Sequence, residues 1–166
     1  MIKKDIIVFG SLNMDLVVNT TKFPNLGETI VCDKFYTSPG GKGGNQAVAA
    51  ARLASQEYKV KFIGRVGEDI FGQEILKNLK SENIDTSFVK ITKNISTGIA
   101  SIFIMPSGEN SVNAVYGANY EIDKSQINDF EKISDNVGVL LLQQEIPDTT
   151  LKLILKTAHK KQIPVI

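Results

Sequence analysis

Two uninterrupted apolar runs constrain the fold more than any other feature of the sequence. Residues 5–10 read DIIVFG, and Val137–Leu142 reads VGVLLL. Strands with one face in water alternate apolar and polar residues, so an unbroken run predicts a strand that is buried on both faces, as in a parallel sheet. Residues 59–67, which read KVKFIGRVG, predict a further strand. The chain is therefore predicted to be built around a parallel β-sheet.

Helical patterns separate and follow these strands. In residues 68–85, Phe71, Ile75 and Leu79 recur at four-residue spacing behind Asp69, a residue type that favours the N-cap of a helix. Residues 148–162 carry a second amphipathic pattern, and the final residues, IPVI, predict the start of another strand. Strands that alternate with helices predict an α/β fold with a Rossmann-like parallel sheet flanked by helices. A chain that finishes inside a strand leaves an open sheet edge, so we expect a truncated part of a longer polypeptide.

Two segments do not follow the strand–helix alternation. Residues 16–37 are β-rich, and residues 98–117 predict a hairpin whose turn is residues 106–109. We interpret both as a small, mostly antiparallel β patch attached to the α/β body. The sequence contains no interdomain linker or internal repeat, so residues 1–166 are predicted to form part of one domain.

The composition excludes several classes of function. Hydrophobic residues make up 42% of the chain, charged residues 22%, and the formal net charge is +1, which gives no electrostatic basis for binding nucleic acid or an anionic membrane. A single cysteine, Cys32, excludes an internal disulfide and a cysteine-built zinc site. The sequence has no apolar stretch suited to a signal peptide or a bilayer span. These features predict a soluble, cytoplasmic protein.

Three polar or glycine-rich segments are predicted to meet at one edge of the sheet. Asn13 and Asp15 follow the first strand, Glu145 follows Val137–Leu142, and four glycines surround Lys42 before an alanine-rich helix. Ligands of open parallel sheets lie beyond the carboxyl ends of the strands, and a helix N-terminus favours oxygen-rich groups. The residues alone leave other readings open, since Asn and Asp also form turns and charged side chains are usually solvated.

Two common nucleotide-binding motifs do not match the glycine-rich segment. A Walker A motif needs Gly-Lys followed by Ser or Thr, whereas Gly43 follows Lys42. The pattern G-x-G-x-x-G fails because Gln46 occupies its third glycine position when the pattern starts at Gly41. A dinucleotide-binding domain is therefore a weak interpretation.

Four motifs in order resemble one known family. They are GSLNMDLV, PGGKGGNQAVAAARL, GRVGEDIFG and GENSVNAVYGAN, and they extend over most of the chain. Together they are similar to the ribokinase-like carbohydrate kinases. The resemblance implies that the β patch is a lid that covers a sugar and forms a homodimer interface.

The resemblance also implies roles for individual residues. Asn13 and Asp15 match ligands of sugar hydroxyls, and Glu145 matches an acidic residue from the later strand. The implied substrate-binding set is Asn13, Met14, Asp15, Gly41, Lys42, Gly43, Gly44, Asn45 and Glu145. Ala100 and Val112, on the predicted hairpin, match positions that line the pocket from the lid, with a looser correspondence.

The activity implied by the resemblance is ATP-dependent phosphorylation of D-ribose at its 5-hydroxyl, giving D-ribose 5-phosphate. The family also implies Mg²⁺ bound with ATP and activation by K⁺. The family's G-A-G-D motif, which carries the catalytic aspartate, is absent from this sequence, as is its magnesium-associated segment. We therefore expect no catalytic or metal-binding residue here and no activity from this chain alone, because positioning and charge stabilisation supply most of the catalysis of phosphoryl transfer. The alternatives are a related sugar or nucleoside kinase, or a non-catalytic sugar-binding or dimerising fragment.

Overall fold

A computed structural model describes residues 4–55 and 57–166 of the chain. Within these residues the chain forms two four-stranded sheets and four α-helices. The strands are β1 (Asp5–Phe9), β2 (Asn13–Asn19), β3 (Lys34–Gly40), β4 (Val60–Gly67), β5 (Asp85–Thr92), β6 (Gly98–Ile104), β7 (Asn110–Val115) and β8 (Val137–Leu142). The helices are α1 (Lys42–Leu53), α2 (Ile70–Ser81), α3 (Lys124–Ile133) and α4 (Asp148–Lys160).

The first sheet confirms the predicted parallel α/β body. Its strand order is β5-β4-β1-β8, and all of its strand pairs are parallel. The two apolar runs form β1 and β8, and the further predicted strand forms β4. Val165 makes an isolated parallel bridge to Leu140 beside β8, which agrees with the strand start predicted at the end of the sequence.

Each face of this sheet is covered by helices. Alternate residues of β1 point to opposite faces of the sheet, so they belong to different hydrophobic clusters. Ile7 and Phe9 belong to one hydrophobic cluster, which includes Phe130 of α3 and Ile154 of α4. Val8 belongs to the other cluster, which includes Ile75 and Leu79 of α2 and Ala47 of α1. Burial on both faces explains why the sequence of β1 shows no polar alternation.

The N-terminus of α2 confirms the predicted cap. The Asp69 carboxylate accepts a hydrogen bond from Gly72 N at 2.8 Å. It also accepts bonds from Thr97 N at 2.7 Å and from Thr97 Oγ1 at 2.6 Å. One side chain therefore both caps α2 and fixes the segment that enters β6.

The second sheet is mixed, with strand order β3-β2-β6-β7. The β2–β3 and β6–β7 pairs are antiparallel, as predicted, but β2 and β6 are parallel. The parallel pair arises because the chain passes through α1, β4, α2 and β5 before it returns to this sheet. Since β2 begins at Asn13, Asn13 and Asp15 lie on a strand and not in a turn.

The structure also differs from the sequence prediction in three elements. Helix α1 begins at Lys42, so Gly43 and Gly44 occupy its first turn and are not part of a preceding loop. Strand β5 and helix α3 were not predicted from the sequence. A capping box between Asp123 and Gln126 begins α3, and this is the local sequence signal that could have identified the helix.

Candidate functional site

Glu145 joins the three segments that the sequence predicted to converge. Its Oε2 accepts a hydrogen bond from Ser11 Oγ at 2.7 Å and another from the backbone N of Lys42 at 3.1 Å. Its Oε1 forms an ion pair with Lys42 Nζ. Only 8% of Glu145 is exposed, whereas the side chain of Lys42 is 68% exposed, so the ion pair lies at the surface end of a buried carboxylate. The segments that follow β1 and β8 are thereby held against the start of α1.

The electrostatics of this pair favour both charged forms. Burial acts to raise the pKa of Glu145, but hydrogen bonds from Lys42 and Ser11 outweigh it and hold the pKa below its ordinary value. The hydrogen bond to Glu145 raises the pKa of the Lys42 ammonium above its ordinary value. Glu145 is therefore an anion and Lys42 a cation at neutral pH.

Ser11 holds the first turn of α1 directly against the segment after β1. Its hydroxyl accepts a hydrogen bond from Gly43 N at 3.3 Å, and its carbonyl accepts one from Gly44 N at 3.0 Å. A Cβ at Gly43 would lie 2.5 Å from Ser11 O, so only glycine permits this approach. Sequence reasoning assigned no role to Ser11, although its position directly after a strand, in GSLNMD, was the available signal.

Asp15 presents a carboxylate that is not occupied by protein donors. No residue in the described part of the chain donates a hydrogen bond to its side chain. Burial, followed by the nearby charge of Glu145, raises the pKa of Asp15 above its ordinary value. A side chain at Gly40 would overlap the Asp15 carboxylate, so this glycine leaves the space that Asp15 occupies.

Asn13 lies two residues before Asp15 on β2, and therefore on the same face of the strand. It is 4% exposed, and its Oδ1 accepts a hydrogen bond from Asn119 Nδ2 at 2.8 Å. Its own Nδ2 donates to no residue between 4 and 55 or between 57 and 166. The two side chains thus place an amide donor and a carboxylate acceptor side by side.

The other predicted residues occupy different environments. Met14 is fully buried in the hydrophobic cluster that contains Val8, on the opposite face of β2 from Asp15. Asn45 is exposed in the first turn of α1. Ala100 is 7% exposed and pairs with Asp15 across the β2–β6 register. Val112 is 50% exposed, farther along the mixed sheet.

This arrangement suits a ligand that carries several hydroxyl groups. A hydroxyl both donates and accepts, so one can donate to the Asp15 carboxylate while another accepts from Asn13 or Lys42. Among the described residues there is no cluster of three or more His, Cys, Asp or Glu side chains that could hold a metal ion. The same residues include no helix that is long and apolar enough to cross a membrane.

Comparison with known proteins assigns the chain to a family. Residues 3–166 match the pfkB family carbohydrate kinases, and the chain belongs to that family. Within it, the chain is 43% identical to the ribokinase of Bacillus subtilis over 164 residues, which are 98% of this chain and 54% of the relative. It is 35% identical to a deoxyribokinase of Salmonella typhimurium over 98% of this chain and 52% of the relative.

The fold agrees with this assignment. The structure of Arabidopsis thaliana ribokinase complexed with ribose and ATP matches with a TM-score of 0.87 and 35% sequence identity, over 98% of this chain and 52% of the other. The chain therefore spans about half the length of the ribokinases it matches.

Proposed function

We propose that the chain carries the sugar-binding half of a kinase that transfers the γ-phosphoryl group of ATP to the 5-hydroxyl of D-ribose, giving D-ribose 5-phosphate. The observation that carries the proposal is the juxtaposition of Asn13 and Asp15, on β2 of the mixed sheet, with Lys42 at the start of α1, where Glu145 joins the segments after β1 and β8. The 43% identity to a ribokinase and the fold shared with a ribokinase bound to ribose and ATP support ribose as the sugar.

In this proposal the residues of the chain bind and orient the sugar. The ionised Asp15 accepts hydrogen bonds from sugar hydroxyls, and Asn13 donates one. Gly41 and Gly43 let the start of α1 approach the backbone of Ser11 and Asn13 without side chains in the way. Lys42 contributes positive charge next to Glu145. The sugar is thereby fixed for attack on ATP, and orientation of this kind is a large part of the catalysis of phosphoryl transfer.

The groups that act on ATP are proposed to lie outside the described residues. Mg²⁺ would be bound with ATP, and K⁺ would act as an activator, but the described residues provide no carboxylate cluster that fits a metal. We expect the residues that hold these ions, and the catalytic aspartate, to lie outside the described residues. We further propose that the protein acts in the cytoplasm and that two copies associate through the mixed sheet.

An ADP-release assay tests the proposed function. The polypeptide is produced as its gene encodes it, its intact mass is measured, and it is incubated with Mg·ATP, K⁺ and a panel of pentoses. We expect ADP release that depends on ribose. A chain that ends at Ile166 is expected to release no ADP. Ribose-dependent ADP release by a sample whose measured mass matches that chain would contradict the proposal that the groups acting on ATP lie outside the described residues.

The same panel tests 2-deoxyribose, for which the 35% identity to a deoxyribokinase provides a specific reason. Ribose and 2-deoxyribose differ by one hydroxyl. Loss of a hydrogen bond to a charged group weakens binding by about 10- to 150-fold. We expect kcat/KM to favour ribose by about that factor. A higher kcat/KM for 2-deoxyribose would identify 2-deoxyribose as the substrate in place of ribose.

A further inference from the structure

Asn119 is a fully buried side chain next to the site, in the 3₁₀ turn Gly117–Glu121. Its Nδ2 lies 2.8 Å from Asn13 Oδ1, 2.9 Å from Tyr116 O and 3.1 Å from Leu12 O. Its Oδ1 accepts a hydrogen bond from Leu12 N at 2.8 Å. The reversed amide would place its oxygen against three oxygen atoms, so only one orientation satisfies these contacts.

The orientation of Asn119 determines that of Asn13. Because Asn119 Nδ2 can only donate, it selects the oxygen of the Asn13 amide as its partner. The Asn13 Nδ2 group then points away from Asn119, and no acceptor in the described part of the chain takes its hydrogens. Asn13 consequently offers a donor, and not an acceptor, on the face of β2 that also carries Asp15.

The backbone at Gly98 packs closely against the Asn13 and Asn119 amides. A Cβ at Gly98 would overlap both Asn13 Oδ1 and Asn119 Nδ2, so a side chain at this position would push the two amides apart. Gly117, with φ of 50°, turns the chain into the 3₁₀ segment, and Ala118 N donates to Ser96 O at 2.8 Å. The segments before β6 and after β7 therefore enclose the contact between the two amides.

We propose that Asn119 is a positioning residue for sugar recognition, which holds the Asn13 amide with Nδ2 toward the substrate. The site then presents a fixed pair, a donor from Asn13 and an acceptor from Asp15, to neighbouring oxygens of the sugar. Asn119 itself does not touch the sugar. This inference rests on the proposed function, since it assigns the way in which that same site recognises its substrate.

Steady-state kinetics of the Asn119→Ala variant of the full gene product test the inference. Without Asn119, the Asn13 amide is free to turn, and a neutral hydrogen bond to the sugar is weakened. We expect the KM for ribose to rise about 3- to 10-fold while the KM for ATP is unchanged. Because Asn119 acts through Asn13, the double variant Asn13→Ala/Asn119→Ala should have the same KM for ribose as Asn13→Ala.

Ser134→Ala is the matched control for loss of a buried hydrogen bond. Ser134 is 4% exposed, and its Oγ donates to Glu131 O at 2.7 Å, before the start of β8 and so at the opposite end of that strand from Glu145. Its loss should lower thermal stability and leave the KM for ribose unchanged. If Asn119→Ala does not fold, Gly98→Ala displaces the same pair of amides and should raise the KM for ribose in the same selective way.

The outcomes separate this inference from the proposed function. If the unsubstituted protein releases no ADP with any pentose, the proposed function is overturned, and the inference with it. If the unsubstituted protein uses ribose, but Asn119→Ala leaves the KM for ribose unchanged or raises the KM values for ribose and ATP equally, the inference alone is overturned. The inference alone is also overturned if the double variant has a higher KM for ribose than Asn13→Ala. A selective, non-additive rise in the KM for ribose supports it.

Discussion

At the scale of single residues, Asp15 is held in an environment that opposes its charge. Burial and the charge of Glu145 raise the pKa of Asp15, whereas the pKa of Glu145 is lowered by hydrogen bonds from Lys42 and Ser11 that outweigh its burial. Two nearby carboxylates thus have opposite effects on stability. Glu145 stabilises the folded chain at neutral pH, and an ionised Asp15 destabilises it, which is typical of a group kept for binding.

Asp15→Asn is therefore expected to stabilise the unliganded protein while it impairs use of ribose. A raised pKa in the folded state means that ionisation costs stability above that pKa and costs none below the unfolded value of about 3.9. The melting temperature of the variant should exceed that of the parent at pH 7, and the difference should vanish as the pH falls toward that value. The kcat/KM for ribose should fall about tenfold or more with the loss of a charged acceptor.

Asp135→Asn is the control, because the side chain of Asp135 is 96% exposed. It should change neither the melting temperature at pH 7 nor the kcat/KM for ribose by a measurable amount. A lower melting temperature for Asp15→Asn at pH 7 would show that Asp15 stabilises the fold through its charge, contrary to the environment described for it.

Among the structural elements, helix α1 shows best how a glycine sequence sets the geometry of the site. Gly43 and Gly44 are neighbours in its first turn and are both buried. A Cβ at Gly43 would lie 2.5 Å from Ser11 O and 2.7 Å from Ser11 N, which are backbone atoms that cannot move aside. A Cβ at Gly44 would meet only the end of the Leu12 side chain, at 3.3 Å.

Gly43→Ala and Gly44→Ala should accordingly have different effects on stability. The Gly43 variant must move α1 away from Ser11, so we expect a loss of about 1–3 kcal/mol in the free energy of unfolding. The Gly44 variant gains about 1 kcal/mol of helix propensity against a small rearrangement of Leu12, so its stability should stay close to that of the parent. Urea denaturation of the two variants checks this, and equal losses would show that the close approach to Ser11 is not the cause.

The elements also show how far the sequence predicts this fold. Strands β1 and β8 were predictable because burial on both faces gives an unbroken apolar pattern, and β4 was predictable from its apolar residues although Lys61 and Arg65 interrupt them. Strand β5 was not, because it lies at the sheet edge and mixes polar with apolar residues. The start of α1 was misplaced because glycine disfavours helices, and here its packing against Ser11 overrides that preference.

At the scale of the whole molecule, the site depends on contacts between distant parts of the chain. Ser11 and Glu145 are separated by 134 positions, and Asn13 and Asn119 by 106. The topology of a parallel sheet predicts that segments after β1 and β8 meet at one edge, which the Ser11–Glu145 hydrogen bond confirms. The contact of Asn119 with Asn13 was not predictable in this way, because it depends on where the chain after β7 places the 3₁₀ turn relative to β2.

The mixed sheet also exposes apolar side chains that an association of two copies would cover. Tyr36 and Val112 are 41% and 50% exposed, and the strand register aligns them in one row with Val17 and Ile102. This row lies on the same face of the sheet as Asp15, two positions along β2. Exposed apolar rows of this kind are typical of protein interfaces. A second copy at this surface would cover the row next to the site.

We therefore expect a homodimer that Val112→Lys weakens. If the two copies pack through this face, the substitution buries an unpaired ammonium group in an apolar contact, which is strongly unfavourable. Leu53→Lys is the matched control, because Leu53 is 87% exposed at the end of α1, outside the mixed sheet. Sedimentation equilibrium over a range of concentrations should show dimers for the parent and for Leu53→Lys, and a dissociation constant at least tenfold higher for Val112→Lys. A parent protein that is monomeric at all concentrations, or equal dissociation constants for all three, would contradict association through this sheet.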